Sequence, residues 1–197
     1  MEIKYRDIVL RDMKESDIED MVYYMTVETA WGDWDAPWET LDDFDVNTYR
    51  KEQKERLQKP QSGHRWSLHI DTTDGYHIGK VSSYLLDENY NWLDDVKLGQ
   101  KAFHALGIGI LDSRYWGKGL GTQALAAWIQ YHLDEEIQDL CLQTWSGNER
   151  MVRSAKSVGF VECRRLFGIR QVRDGTFDAL TFRLDLDKFN EYLATHS

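Results

Sequence analysis

Residues 105–133 read ALGIGILDSRYWGKGLGTQALAAWIQYHL, and their reading decides the fold. The run of small and apolar residues from Ala105 to Leu111 predicts a buried strand. A charged, glycine-rich turn follows, Arg114 to Gly121 (RYWGKGLG). Ala124, Leu125, Trp128, Ile129 and Leu133 then recur at helical spacing. Strand, glycine loop and helix together make an anion site from main chain alone. The free N–H groups at the helix start point outward, the helix dipole favours negative charge, and the absent Cβ atoms let a phosphate come close.

Such a loop has several meanings. A magnesium-binding phosphate loop needs a hydroxyl after its lysine, whereas Gly119 follows Lys118. Gly119, Gly121 and Ala124 fit the G-x-G-x-x-A of dinucleotide binders, which place an acid at the end of the next strand. Asp139 has that separation but precedes the next apolar run, Leu140 to Leu142, and no repeated strand–helix–strand units surround the loop. A tight turn that binds nothing is the plain alternative.

Working outward, the 197 residues suit one domain, 1–197, with a substantial core. Hydrophobic residues make up 42% and charged residues 29%, as in ordinary globular proteins. A net charge of −10 argues against nucleic acid as a partner and fits a cationic substrate, although acidity also simply keeps a protein soluble. The charged start MEIKYRD is unlike a signal peptide, and no apolar run approaches a membrane span. The expectation is a cytoplasmic protein without membrane attachment. Cys141 and Cys163 have no metal or redox spacing, so both are expected to be buried thiols and no metal is expected.

Residues 3–10 predict a strand. Ser16 and Glu19 suggest a capping box ahead of a helix with Ile18, Met21, Val22 and Met25 on one face. The segment Glu28–Glu39 packs Trp31, Trp34 and Trp38 among Glu28, Asp33, Asp35 and Glu39. A charged helix is predicted from Thr40 to about Gln58. Strands follow at Arg65–Asp71 and His77–Leu86 around an Asp74-Gly75 turn, then a polar loop at 87–100 around Trp92, then a strand over Lys101–Leu111. Beyond the glycine-loop helix come a strand at Leu140–Trp145 and a helix opened by Gly147-Asn148 and closed by Gly159. Strands at Phe160–Ile169 and Phe177–Leu186 and a short tail helix complete the chain. The order β-αα-βββ-α-β-α-ββ implies a mixed α/β fold with a largely antiparallel sheet.

Arg114-x-x-Gly117-x-Gly119 resembles the [RQ]-x-x-G-x-[GA] acetyl-CoA loop of the GNAT N-acetyltransferases. The stretch from Asn148 through Arg153 to Gly159-Phe160 resembles that family's N-x-x-[SA]-x-R…G-F segment, most of all in the branch with the ribosomal-protein alanine N-acetyltransferases. The order of elements is also similar, so the resemblance covers most of the chain. It implies a GNAT fold, acetyl-CoA as cosubstrate, and transfer of its acetyl group to a primary amine of a small molecule or a peptide N-terminus.

Backbone amides over Trp116, Gly117, Lys118, Gly119, Leu120, Gly121 and Thr122 can hold a pyrophosphate, with Arg114 and Lys118 adding charge-assisted contacts. Lys118 reads equally as a solvated loop lysine. A strand that splays from its neighbour near Gly107 and Gly109 would offer unpaired amides to an amide-rich pantetheine arm. The resemblance implies that Ile110, Leu111 and Asp112 supply those contacts and that Asn148 reaches the pantetheine. Asn148 is as well placed to be a helix N-cap.

Amine attack needs the neutral form, only about 0.04% of a free alkylammonium at pH 7. Many relatives place a glutamate on the strand before the loop and a serine or tyrosine on the Asn148 helix. Here those positions hold Ala105 or Leu106, and Met151 and Ala155. Acid–base candidates are therefore His104, Ser154 and a carboxylate such as Glu28 or Asp33, or positioning dominates. Because the loop between the first two helices walls the acceptor pocket in this family, Trp31, Asp33 and Trp34 are candidates for holding a cationic amine. The tryptophans also suit packing at a core edge or in a homodimer interface. Loss of the usual acid–base residues leaves a second reading, a non-catalytic acetyl-CoA-binding regulatory domain.

Overall fold

The computed structural model describes residues 1–60, 62–95 and 100–196. In chain order its elements are β1 (Glu2–Tyr5), β2 (Ile8–Arg11), α1 (Asp17–Thr26), α2 (Val46–Leu57), β3 (Ser67–Thr72), β4 (His77–Leu86) and β5 (Trp92–Leu93). Then follow β6 (Phe103–Ile110), α3 (Leu120–Asp134), β7 (Leu140–Trp145), α4 (Glu149–Ser157), β8 (Phe160–Val172), β9 (Gly175–Leu184) and α5 (Leu186–His196). The strands form a sheet of order β1-β2-β3-β4-β6-β7-β9-β8, with β5 paired to β4. Every pairing is antiparallel except β6 with β7. The mixed, mostly antiparallel α/β fold predicted from the sequence is the fold observed.

Alternation along the strands sorts side chains onto two faces. Leu10, Leu68, Ile70, Val81 and Leu106 form the main core with Ala124, Leu125, Trp128 and Ile129 of α3 and Phe189 of α5. Trp128 is fully buried, and its indole N–H donates to Ser82 O at 3.0 Å, so its polar atom costs nothing. Burying each such aliphatic side chain is worth about 1.5–3 kcal/mol. Gly159 ends α4 at φ 99°, and a Cβ there would lie 2.7 Å from Phe189 N, so only glycine lets α5 dock beside that turn.

On the opposite face, α1 rests on charge. Arg11 of β2 donates to Asp17 at 2.6 and 2.8 Å and to Asp71 of β3 through Nη2 at 2.6 Å. The Arg11 and Asp17 side chains are 5% and 1% exposed. Burial alone would raise the Asp17 carboxyl, but the Arg11 guanidinium and the Lys14 amide outweigh it and hold it below the usual range. The pair fixes α1, and through α1 the tryptophan-rich segment that follows.

Several local expectations change. Residues 3–10 form a hairpin instead of one strand, because Arg6 takes φ 53° and the chain reverses at Arg6-Asp7. The capping box does not form: Ser16 makes no side-chain cap bond, and Glu19 turns to Arg50 at 2.6 and 2.8 Å. The second helix starts at Val46, since Asp45 caps it by accepting from Thr48 N at 2.6 Å. Trp92 lies in a short strand against β4, and 96–99 of the predicted polar loop fall outside the described residues. Cys141 is buried as expected, but Cys163 is exposed because it sits at an irregularity between Glu162 and Arg164 on the edge strand β8. Among the described residues, no helix is long and apolar enough to cross a membrane.

Candidate active site

The site begins where the sheet parts. β6 and β7 pair only through His104↔Leu140 and Ala105↔Cys141. Past that point β6 stays on β4 as far as Gly79↔Ile110, while β7 follows β9 to Trp145↔Ala179. The β7-facing edge of β6 from Gly107 onward therefore has no ladder partner in β7. The wedge between the strands opens toward the glycine loop.

The loop is rigid and its amides are aimed. Gly117 and Gly119 take φ 73° and 78°, the left-handed region that only glycine occupies without strain. Gly119 is the N-cap of α3, has no side chain to offer, and no acidic residue occupies the first turn. The first bond of that turn runs from Gln123 N to Gly119 O at 3.1 Å, so the amides of Leu120, Gly121 and Thr122 precede any helical acceptor. Gln123 pins the helix to the β1–β2 turn through two 2.9 Å bonds with Asp7, and Thr122 Oγ1 donates to Ser154 Oγ of α4 at 3.0 Å. The Trp116 indole donates to Ile110 O at 2.7 Å, which folds the loop back against β6.

A cleft of about 530 Å³ fills the wedge. Of the predicted residues it gathers Ile110, Trp116, Gly117, Gly119, Leu120, Gly121, Thr122 and Asn148, together with Trp31, Trp34 and Ser154. Others lie elsewhere. Leu111 is buried with Met21 and Tyr24. Asp112 and Arg114 pair with each other at 2.6 Å and line a smaller cleft of about 340 Å³ beside Tyr24 and His77. The Lys118 ammonium stands 5.0 Å above the Tyr115 ring. Asp33 points away and pairs with Arg173 at 2.7 Å. Glu28 is not on the cleft wall, and its amide donates to Tyr23 O at 3.0 Å. His104 lies at the far end of β6.

Asn148 caps α4 by accepting from Met151 N at 3.1 Å, and its Nδ2 donates to Trp34 O at 2.7 Å. The Trp145 indole donates to the same carbonyl at 2.8 Å, so the tryptophan-rich segment is clamped to the β7–α4 junction. Ala105 and Leu106 are 0% and 1% exposed and Ala155 is 0% exposed, which leaves those positions without a proton-transfer group.

Among the wall residues not singled out from sequence, two carry charge that matters to the site. The Arg150 guanidinium lies 4.6 Å from the Trp34 ring and 4.7 Å from the Trp116 ring, so the cation held by Trp34 comes from α4 itself. Asp35, rather than Asp33, is the carboxylate on the cleft wall. Asp35 keeps surface open to the cleft yet is ringed by protein. Burial pushes its carboxyl up, Lys80 acts against this, and Glu39 adds to it. The Lys80 side chain is exposed to solvent, and the protein crowded around it pushes its ammonium down against the pull of Asp35. The short 3₁₀ turn Ala30–Asp33 decides which carboxylate turns inward, and no spacing rule in the sequence reports it.

A family model described as acetyltransferase (GNAT) domain matches residues 7–161. A search of curated proteins found no match. Among solved structures, RimL, a ribosomal L7/L12 alpha-N-protein acetyltransferase in complex with coenzyme A, superposes with a TM-score of 0.69 at 15% identity, covering 93% of this chain and 97% of its own. A GNAT-family acetyltransferase from Bacillus anthracis gives 0.66 at 12% identity over 93% and 98% of the chains. A ribosomal-protein-S5-alanine acetyltransferase from Vibrio fischeri gives 0.65 at 16% identity over 93% and 95%. At these identities the likeness concerns the fold.

Proposed function

This chain belongs to the GNAT acetyltransferases, and from that premise we propose that it moves the acetyl group of acetyl-CoA to a primary amine, of a small molecule or a peptide N-terminus, by direct attack in a ternary complex. One observation carries the reading: unsatisfied amides at the head of α3 face the wedge between β6 and β7. The pyrophosphate settles on the amides of Gly119 to Thr122. The pantetheine lies along β6 as a surrogate strand, and its thioester reaches the region of Gly107 and Gly109. An N–H of β6 then faces the tetrahedral oxyanion. That RimL, which shares the fold, was solved in complex with coenzyme A supports the same coenzyme as this chain's cosubstrate.

The acceptor enters from the side of Trp31 and Asp35. Asp35 draws the ammonium in and, through water, takes the proton that must leave before attack. A carboxyl raised by burial is a better base near neutrality than an ordinary one. Asp35→Asn should lower kcat/KM by about 100-fold, at the lower end of the range for general acid–base residues, with acetyl-CoA affinity unchanged. The base is the ionised form, so kcat/KM rises with pH through the raised Asp35 value, and the asparagine variant lacks that acid limb. A variant with the limb intact and unchanged kcat/KM would remove Asp35 from the mechanism.

The buried Ala105 and Leu106 favour a second reading, a domain that binds acetyl-CoA without turnover. Thiol release from acetyl-CoA across a panel of amines separates the two. Release with any amine supports the enzyme, and tight binding with no release on all of them supports the regulatory domain.

A further inference from the structure

Three histidines far apart in the sequence meet at the end of α3 remote from the glycine loop. His64 precedes β3, His104 lies on β6 and His132 lies in the last turns of α3. His132 is about 18 Å along the helix from Leu120. Each offers one ring nitrogen, and these nitrogens lie within 4.8 Å of one another. His132 is fully buried. Nε2 of His64, Nδ1 of His104 and Nε2 of His132 are buried atoms without a hydrogen-bond partner. Buried polar atoms are ordinarily satisfied, so three unsatisfied ones on one cluster require a cause.

Their outer contacts set the ring orientations. Nδ1 of His132 faces the Trp128 carbonyl at 2.9 Å, where only a protonated nitrogen bonds. Its Nε2 therefore carries the lone pair. Nδ1 of His64 lies 3.9 Å from a Glu135 carboxylate oxygen, which favours the proton on that side and the lone pair on Nε2, and 3.4 Å from Tyr131 Oη, a contact open to either tautomer. Backbone carbonyls and carboxylates behind imidazoles are how metal-binding histidines are held. Trp66, itself exposed, stacks on His104 with centroids 5.5 Å apart.

We propose that His64, His104 and His132 form a three-histidine site for a divalent transition ion of the zinc type, separate from the acyl-transfer cleft. Ligand nitrogens at about 2.0–2.1 Å from zinc lie about 3.4 Å apart in a tetrahedron. Small side-chain rotations bring the three rings to that spacing, and water fills the fourth position. The ion would staple the segment before β3 and the start of β6 to α3. The other histidine cluster, Asp17, His69 and His77, lacks this character. Asp17 is saturated by Arg11 and the Lys14 amide, and the two rings bond each other at 2.9 Å.

The test uses the full chain, freed of metal with a chelator and titrated with zinc by calorimetry. One ion per chain is expected, with a Tm that rises with zinc concentration. Cobalt in place of zinc should give the intense visible band of a four-coordinate centre. His64→Gln and His104→Gln should each weaken zinc binding by at least the roughly 10–100-fold that outer partners alone command. Circular dichroism confirms that each variant is folded. Absence of zinc binding by the wild type, or binding equally tight in both folded variants, overturns the site.

Discussion

Gly119→Glu should abolish acetyl-CoA binding while the fold survives. A Cβ at Gly119 meets nothing within 4 Å, so the substitution causes no packing clash. What it meets is a backbone at φ 78°, which costs an L-residue about 1–2 kcal/mol. The carboxylate then stands where the diphosphate should sit. Two like charges about 4 Å apart repel by about 4 kcal/mol at an effective dielectric of 20, near a thousandfold in affinity. Screening at the open mouth reduces this, and the added bulk works in the same direction. Calorimetry should show a Kd raised more than about 100-fold. Gly119→Asn carries similar backbone strain without charge and should lose far less. A glutamate variant that binds within a few fold of wild type would mean that the nucleotide end docks elsewhere.

Asp17→Asn should cost about 1–3 kcal/mol of stability, because it leaves the buried Arg11 guanidinium with one carboxylate instead of two. For a chain of this size that is a fall in Tm of roughly 2–12 °C. The sign of the pH dependence follows from the depressed Asp17 carboxyl. Its contribution is fully present above the unfolded carboxylate value and is lost as pH falls through the lower folded value. Urea unfolding at neutral pH should therefore show the full deficit, and the gap between wild type and variant should narrow in acid. An unchanged midpoint at pH 7 would show that Asp71 alone suffices for Arg11.

The sheet and the loop were legible because they rest on local rules. Leu140–Trp145 opens on an apolar run and ends at turn residues, and Gly117 and Gly119 stand where only glycine avoids strain. Asn148 could be read as a cap from its position before a helical pattern. What the sequence hid was set by distant partners. Glu19 leaves its cap for Arg50, thirty-one residues away. Arg114 looked like a phosphate ligand, but Asp112 holds it on the neighbouring cleft. Asp35 and Asp33 are two residues apart on an irregular turn, and the alternation rule of strands does not apply there. His64, His104 and His132 have no spacing in common, and only the packing of α3 on β6 brings them together.

The parting of β6 from β7 has a mechanical consequence. Two ladder pairs join the plate carrying β1 to β6 to the plate carrying β7 to β9, and beside them the crossing bonds are made by side chains, such as Gln143 Nε2 donating to Tyr90 O at 3.1 Å. If the thioester lies along the seam as proposed, it would contribute rungs that the polypeptide itself omits, and the occupied molecule should be a stiffer body than the bare one. On that reading the coenzyme would be mortar as well as reagent, and each departure would loosen the joint through which the next one enters.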